Sequence, residues 1–252
     1  MLVNVTPYFD GLRLIAERAG FRCSIGGTGV LQVISGTPVA TLNGVFCSSP
    51  APDPDQIGRF AAELPGTGLP WTIQLRGEPS AEVAAIASEH GLTGRHTAPY
   101  MTCGRDAFVA RGSRPYAPVI RAITSARLRT YVETLTAGFE APPDVFARML
   151  TPQLLDAPGM TAYLAERDGI PVAAAFGVLH ARHIGVFNVG TPPIFRGRGY
   201  ARLIVEQVMR DGFAAGAESA YLQASKAGFP LYESMGFTTA ETWTYLVAPA
   251  PQ

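Results

Sequence analysis

Several features that would assign a protein to a class are missing from this sequence. Its 252 residues include three cysteines, Cys23, Cys47 and Cys103, which are odd in number and widely spaced. We therefore expect neither a disulfide framework nor a Cys-x-x-Cys metal site. Twenty basic and twenty acidic side chains balance, so no overall field favours nucleic acid or an anionic membrane as a partner. No uncharged apolar run reaches about 18 residues, which argues against a transmembrane helix.

The beginning of the sequence also lacks the marks of a targeting segment. MLVNVTPYFDGLRL has no basic stretch followed by an apolar core, so we expect no signal peptide and a cytoplasmic location. His180 and His183 flank a predicted hairpin, but no carboxylates accompany them and their spacing does not suit a metal ion. We therefore expect no metal.

What the sequence does contain is an alternation of helix and strand patterns around a break. Gly, Pro, Ser and Arg are concentrated over 104–118 without a sustained period, which predicts a linker at 105–115. The linker would separate an N-terminal domain (1–104) from a C-terminal domain (116–248). The C-terminal order, β-α-α-β-β-β-α-β-α-β, favours an α/β fold with a mixed central sheet flanked by helices. The N-terminal part ends in a similar order, which suggests a tandem of related copies.

Local signals predict where several elements begin and end. Ser80 has the position of a helix N-cap, and Gly91 that of the residue just after the same helix. Ser125 is likewise predicted to cap the helix that follows it. Asp168-Gly169 predicts a tight hairpin turn between two strands.

The most informative stretch is TPPIFRGRGYAR, at 191–202, which joins the apolar strand HIGVFNV to a predicted helix. The first amides of a helix have no intrahelical partner and carry roughly half a positive charge. Glycines at 197 and 199 lack Cβ atoms, so an anion can approach those amides closely. Arg196, Arg198 and Arg202 add cationic side chains. This combination favours the binding of a phosphate or a diphosphate.

The residues of this loop leave alternatives. A P-loop ends in Gly-Lys-Ser/Thr, and those residues are absent here. The dinucleotide fingerprint Gly-x-Gly-x-x-Gly requires glycine where the chain has Arg202, and no acidic residue ends a strand about twenty residues later. A plain strand-to-helix turn with solvated arginines is the remaining alternative.

The same loop resembles a known family. Arg196–Ala201 fits Arg/Gln-x-x-Gly-x-Gly/Ala, the acyl-CoA diphosphate loop of the GNAT superfamily of N-acyltransferases. Asn188–Pro192 is similar to the family's fourth strand and its approach to the loop, and Ser225–Phe237 to its closing motif, a short helix bearing Tyr and ending in Gly-Phe. The resemblance covers about 116–247 and implies the GNAT fold. The N-terminal part resembles a degenerate GNAT half without an Arg-x-x-Gly-x-Gly loop.

The resemblance implies a role for each matching position. It implies that the main chain at the end of the strand flanks the pantetheine arm and the acetyl carbonyl, and that the loop amides hold the diphosphate. It also implies that Tyr232 is the general acid. The residues that it implies for binding acetyl-CoA are Asn188, Val189, Gly190, Thr191, Arg196, Gly197, Arg198, Gly199, Tyr200, Ala201, Ser225 and Tyr232.

The general base is less well defined by the sequence. GNAT proteins often supply a carboxylate from the fourth or fifth strand, but HIGVFNV and AYLQA contain no Asp or Glu. An alkyl ammonium must lose a proton before it can attack a thioester. Glu140, in the loop between the first two helices of the C-terminal domain, and His183, at the start of the strand, are the two side-chain candidates for this catalytic role. A chain of water molecules is the third.

Together these features predict a cytoplasmic N-acetyltransferase. It would move an acetyl group from acetyl-CoA, as co-substrate, to the amine of a small molecule by direct attack. The C-terminal copy would be active and the N-terminal copy degenerate. Two alternatives stay open: a non-catalytic acyl-CoA-binding sensor or scaffold, and a transferase that uses a longer acyl-CoA.

Overall fold

The computed structural model describes residues 4–111 and 117–249. They fall into two units, of which the first runs to Tyr100 and includes the chain from Thr239 onward, and the second is Met101–Thr238. In chain order the elements are α1 (Thr6–Ala19), β1 (Arg22–Ile25), β2 (Val30–Ile34), β3 (Asn43–Cys47), α2 (Pro54–Glu63), β4 (Thr72–Arg76), α3 (Ala81–Glu89), β5 (Gly94–Gly104), β6 (Val119–Ile123), α4 (Leu128–Phe139), α5 (Pro143–Met149), α6 (Pro152–Leu155), β7 (Met160–Arg167), β8 (Ile170–His180), β9 (His183–Gly190), α7 (Tyr200–Ala214), β10 (Ser219–Gln223), α8 (Phe229–Glu233) and β11 (Thr238–Val247).

The first unit is a mixed sheet that carries helices. Strands β1, β2 and β3 pair antiparallel, β4 is parallel to β3, and β11 is antiparallel to β4. Alternation along β4 buries Ile73 in one cluster with Ile57 of α2 and Val83 of α3. Helix α1 packs on β11, where the Tyr8 and Trp243 rings lie 4.9 Å apart edge to face.

The second unit is built from four antiparallel strands and one parallel strand. Strands β6, β7, β8 and β9 pair antiparallel in that order, and β10 is parallel to β9. Helices α4 and α7 both pack on β8 and β9. Gly177 of β8 allows a close approach, because a Cβ atom there would lie 3.1 Å from Val208 of α7. The Tyr131 hydroxyl of α4 donates to the carbonyl of Ala175 at 3.0 Å.

Much of the predicted architecture is confirmed. The chain has the α/β class, with mixed sheets flanked by helices. The Ser80 hydroxyl accepts a bond from the amide of Val83 at 3.3 Å, as an N-cap does, and Gly91 has φ +74°. Asp168 and Gly169 have φ +53° and +77°, the left-handed pair that a type I′ hairpin turn requires.

Some local predictions are wrong. Ser125 does not cap α4, because that helix begins at Leu128 with Arg127 at the N-cap. Ser125 instead opens a short 3₁₀ turn, and its amide donates to Asp156 at 2.8 Å. Strand β1 and helix α6, of four residues each, were not predicted, because such short elements show no periodicity.

The predicted domain boundaries differ from the observed units at the C-terminal end of the chain. The last strand, expected in the C-terminal domain, pairs with β4 in the first unit, from Trp243 opposite Arg76 to Val247 opposite Thr72. Of the linker predicted at 105–115, residues 112–115 lie outside the described residues. The part that is described bonds into the second unit, where Arg105 donates to the carbonyl of Phe213 at 2.7 Å.

Candidate functional site

Strands β9 and β10 separate towards their carboxyl ends. Their parallel pairing covers three residue pairs and ends at Gly185 opposite Tyr221. Asn188 and Val189 then form a bulge against β8, because Phe176 pairs with Phe187 whereas Ala174 pairs with Gly190. Asn188 has φ +50°, in the left-handed region. The end of β9 therefore presents main-chain groups that do not pair with β10.

The loop after β9 forms an anion-binding arrangement, the cradle, which comprises Gly197–Ala201. Gly197 and Gly199 have φ +74° and +82°, and Gly199 is the N-cap of the 15-residue helix α7. Within the described residues, the amides of Gly199, Tyr200 and Ala201 donate to no acceptor. These amides and the helix dipole favour a negative charge at this end of α7. The cradle fits the diphosphate of an acyl-CoA.

The three arginines of the loop have different environments. Arg198 is exposed, and its guanidinium lies 5.9 Å from the centre of the Phe195 ring. Arg202, expected to reach an anion, is instead 4% exposed and pairs with the fully buried Glu206 at 2.8 Å. Its guanidinium also donates to Ser234. Arg198 is thus the arginine placed to meet a phosphate, while Arg202 joins α7 to the end of α8.

Arg196 is also engaged by the protein itself. Its amide donates to Pro193 at 3.1 Å within a 3₁₀ turn. Its guanidinium donates to the carbonyls of Thr191 at 3.1 Å and Gly138 at 2.9 Å, and pairs with Glu140 at 2.9 Å. The main-chain amide, Nε and Nη2 of Arg196 are therefore engaged within the protein.

Tyr232 lies on α8, in the core that α7 shares with the sheet. It is 8% exposed, and its ring lies 5.9 Å from that of Phe237, edge to face. Burial raises the pKa of its phenol to about 12. Because of this raised pKa, Tyr232 is protonated at neutral pH, as a general acid must be.

Ser225 opens the turn before α8, where its hydroxyl accepts a bond from the amide of Gly228 at 3.1 Å.

Glu140 lies beside the end of β9, but its carboxylate is paired. It follows α4 in a left-handed conformation, with φ +52°, and its ion pair with Arg196 is half exposed. Gly138, two residues earlier, packs on Gly190 and Thr191, where a Cβ atom would lie within 3 Å of the main chain. Glu140 is near the split strands, and its carboxylate is paired with Arg196.

His183 lies at the other end of β9. It is the first residue of the strand, five residues before Asn188, a distance of about 16 Å along an extended chain. Its Nδ1 is 2.8 Å from the hydroxyl of Ser219, at the start of β10. Burial lowers its pKa. The prediction of a catalytic role for His183 finds no support in this position.

Sequence reasoning missed Gly138 and the bonds that Arg196 makes to it. Gly138 precedes the aromatic Phe139 at the end of a helical pattern, a place where glycine is ordinary as a helix terminator. The asparagine of HIGVFNVG, by contrast, carries a signal, since Asn is favoured at positive φ within an otherwise apolar strand.

The described part of the chain holds no group of three or more His, Cys, Asp or Glu side chains that could bind a metal ion. No helix within residues 4–111 and 117–249 combines the length and apolar character needed to cross a membrane.

Part of the second unit is similar to a known sequence family. Residues 124–237 match the acetyltransferase (GNAT) family. The matched segment is a little under half of the chain, and it contains the split between β9 and β10, the cradle and Tyr232. Acyl transfer from CoA is the chemistry of that family. No curated protein matches the chain in sequence.

The likeness to solved structures extends to almost the whole chain. A GCN5-related N-acetyltransferase from Kribbella flavida has a TM-score of 0.67 at 18% identity, over 96% of each chain. A conserved protein of unknown function from Staphylococcus epidermidis has 0.64 at 13%, over 90% of this chain and 94% of its own. A GNAT-family protein from Novosphingobium aromaticivorans has 0.59 at 18%, over 94% and 95%. At these identities the likeness establishes the fold.

Proposed function

We propose that the chain transfers an acetyl group from acetyl-CoA to the amine of a small molecule, with its second unit as the active one. The observation that carries this proposal is the cradle at the N-terminus of α7, next to the split strands. Left-handed Gly197 and Gly199 leave the first amides of α7 open to a diphosphate. The end of β9 does not pair with β10, so its main-chain groups on that side lie beside the place where the thioester would lie.

The proposed chemistry is a direct attack. The amine nitrogen bonds to the thioester carbonyl carbon, the carbon–sulfur bond breaks, and the CoA thiolate leaves. Tyr232 donates its proton to that thiolate, a step that a protonated phenol can perform, and the proton that the attacking nitrogen loses returns through water to the phenolate. A main-chain N–H of Asn188–Gly190 polarises the carbonyl oxygen as negative charge develops on it.

Deprotonation of the amine is assigned to water in this proposal. Strands β9 and β10 contain no Asp or Glu. Glu140 is paired with Arg196, and His183 lies at the far end of β9. Water at the end of the split between β9 and β10 is the remaining candidate to remove the proton.

An assay of thiol release tests the proposal. The purified protein is incubated with acetyl-CoA and a panel of amines that includes aminoglycosides, polyamines and aromatic amines. We expect at least one amine to release CoA faster than hydrolysis does, with a product heavier by one acetyl group. Arg129→Ala is the matched control, since it removes a 92% exposed side chain from α4 and should leave the rate unchanged. Absence of CoA binding would refute the proposal.

A sensor or scaffold that binds acyl-CoA without turnover is the second candidate. The pairing of Glu140 with Arg196 favours it, because the carboxylate nearest the split strands is neutralised. CoA binding without release by any amine in the panel would support this candidate. Competition among acetyl-CoA, succinyl-CoA and malonyl-CoA tests a preference for longer acyl groups.

We also propose that the first unit is a degenerate copy of the second. Both have three antiparallel strands, a helix, a strand parallel to the third and a further helix, in that order. In the first unit the parallel pairing also covers three residue pairs, from Gly44 opposite Thr72 to Phe46 opposite Gln74. A cavity of about 340 Å³ lies at the carboxyl end of β4.

The loop of this first unit does not suit a diphosphate. Pro50, Pro52 and Pro54 line the cavity, and proline has no amide donor. Asp53 caps α2 with its own carboxylate, which accepts from the amide of Asp55 at 3.0 Å. Glu78 and Glu82 add negative charge to the lining. The proposal therefore assigns one acyl-CoA to each chain.

A further inference from the structure

The side chain of Arg196 joins two segments of the second unit, the chain just after β9 and the end of α4. Nε donates to the carbonyl of Thr191, after β9, at 3.1 Å. Nη2 donates to the carbonyl of Gly138 at 2.9 Å and pairs with Glu140 at 2.9 Å. The planar fork of a guanidinium can meet several acceptors at once, whereas the single ammonium of lysine cannot reproduce that geometry. An arginine at position 196 can therefore hold the end of α4 in a way that a lysine could not.

The α4 end, Gly138–Ala141, lies directly against the end of β9. A Cβ atom on Gly138 would be 2.8 Å from the amide nitrogen of Thr191 and 2.9 Å from Gly190, so the two main chains touch. A Cβ atom on Gly190 would be 3.3 Å from the ring of Phe139. That ring is 48% exposed. Phe139 thus forms a wall beside Gly190, where the proposed function puts the acyl group.

The conformation of the α4 end requires support. Glu140 has φ +52°, a region that costs a residue with a side chain about 1 kcal/mol or more. The amide of Ala141 donates to Thr136 at 3.1 Å, and that of Glu140 to Ala137 at 3.4 Å. The ion pair with Arg196 holds the side chain of the same residue. Strain of this kind persists where surrounding bonds hold it, and it is common at functional sites.

Arg196 is also next to the cradle in the sequence. It directly precedes Gly197, and its own amide is bonded to Pro193, so it adds no main-chain donor to the cradle. An anion held by the amides of Gly199–Ala201 fixes the chain from which the Arg196 side chain extends. Its contacts can therefore transmit occupancy of the cradle to the α4 end.

We propose that Arg196 is a positioning residue that couples the cradle to the α4 end. Through its bonds to Thr191, Gly138 and Glu140, it holds Phe139 and Glu140 beside Gly190, so that the acceptor side of the site is ordered when acyl-CoA is bound. This proposal rests on the proposed function. Under this proposal, Arg196 affects acceptor turnover and the order of the α4 end. This role replaces the direct contact with CoA that the sequence predicts.

The test compares Arg196→Ala, Arg196→Lys and Glu140→Gln with Arg129→Ala, which removes an exposed ion pair from the same helix. Hydrogen exchange of peptides covering residues 134–145 is measured with and without CoA. We expect faster exchange there in Arg196→Ala, an intermediate rate in Arg196→Lys and in Glu140→Gln, and no change in Arg129→Ala. CoA should slow this exchange in the wild type and not in Arg196→Ala.

Calorimetry and kinetics complete the test. Arg196→Ala should bind CoA within about 3-fold of the wild type, because the cradle amides remain. Its kcat with the amine found by the release assay should fall by about 10- to 100-fold, the effect of a misplaced reacting group. Arg196→Lys should recover part of that loss. A thermal melt of each variant separates these effects from unfolding.

Three results would overturn the coupling. One is unchanged exchange over 134–145 in folded Arg196→Ala. Another is a loss of CoA affinity of more than about 10-fold (1.4 kcal/mol), which would assign Arg196 to the cradle itself. The third is an equal effect of CoA on exchange in the wild type and in Arg196→Ala. If the wild type bound no CoA, the proposed function would fail, while the exchange of ligand-free Arg196→Ala would still report on the contacts of Arg196.

Discussion

The hydroxyl of Tyr232 is the side-chain group that is proposed to donate a proton to the leaving thiolate. Burial raises the pKa of this phenol to about 12, so it holds its proton at any physiological pH. The thiol of CoA has a pKa of about 8.5, so its thiolate is a weaker base than the Tyr232 phenolate. The phenol is therefore expected to stabilise the leaving sulfur by sharing its proton in the transition state, where negative charge on sulfur has begun to form.

Replacement of Tyr232 by Phe separates this role from packing. The ring remains to pack on Phe237, so we expect the melting temperature and the CoA dissociation constant to change little. Turnover should fall by about 10²-fold or more, within the range for the loss of a general acid. Steady-state kinetics and calorimetry on the same preparation give the three quantities. An unchanged kcat would remove Tyr232 from the mechanism.

At the scale of elements, helix α7 presents a left-handed glycine at each end. Gly199 begins the helix with φ +82°, in the cradle, and Gly216 follows it with φ +100°. A β-branched residue is strained at either position by about 1–3 kcal/mol. The two ends therefore offer similar backbone strain with different consequences for ligand binding.

The pair Gly199→Val and Gly216→Val uses this difference. We expect both variants to lose stability and to stay folded, since no atom outside the local chain lies within 4 Å of a Cβ at Gly216. Gly199→Val should also abolish measurable CoA binding, because its side chain intrudes on the amides of the cradle. Gly216→Val should bind CoA as the wild type does. Equal CoA affinities in a calorimetric titration would contradict the assignment of the cradle.

Elements with local signals could be predicted from the sequence. The left-handed turn at Asp168-Gly169 and the cap at Ser80 depend on residues within a few positions of each other. The cradle has the same property, since two glycines before a helix are visible in the sequence itself. Ser125 does not cap α4 because a 3₁₀ turn, Ser125–Arg127, comes before the helix. The amide of Ser125 bonds to Asp156, a partner 31 residues away that no local pattern reveals.

The chemistry of individual charged side chains could not be predicted in the same way. Arg202 and Arg196 stand in a cationic loop, yet Glu206 and Glu140 neutralise them. Helix periodicity does not say which face is buried by a distant segment. Similarly, the sequence places His183 at the start of the correct strand, but only the extended course of β9 shows that its side chain lies far from Asn188.

At the scale of the whole molecule, buried tyrosines link stability to alkaline pH. Burial raises the pKa of Tyr8 and Tyr131 above their ordinary value, and that of Tyr232 to about 12. The folded state therefore binds these protons more tightly than the unfolded state. This contribution is fully present below pH 10 and is lost as the pH rises from there through the folded-state pKa values.

Denaturant unfolding measured from pH 7 to pH 11 checks this linkage. We expect the free energy of unfolding to fall above about pH 10, by as much as about 1.4 kcal/mol per pH unit for each buried tyrosine. Ultraviolet absorbance near 295 nm, an assay wavelength for phenolate, should show most of its rise together with unfolding. A free energy that is constant up to pH 11, with early phenolate absorbance, would contradict the burial of these side chains.

Titration of CoA into the purified chain by calorimetry tests the central claim most directly. One molecule bound per chain is predicted, with no measurable binding to Gly199→Val, because the proposed diphosphate site lies at the start of α7 and the proline-rich loop of the first unit does not suit a diphosphate. Two molecules per chain, or heat that persists unaltered in the Gly199→Val protein, would contradict it.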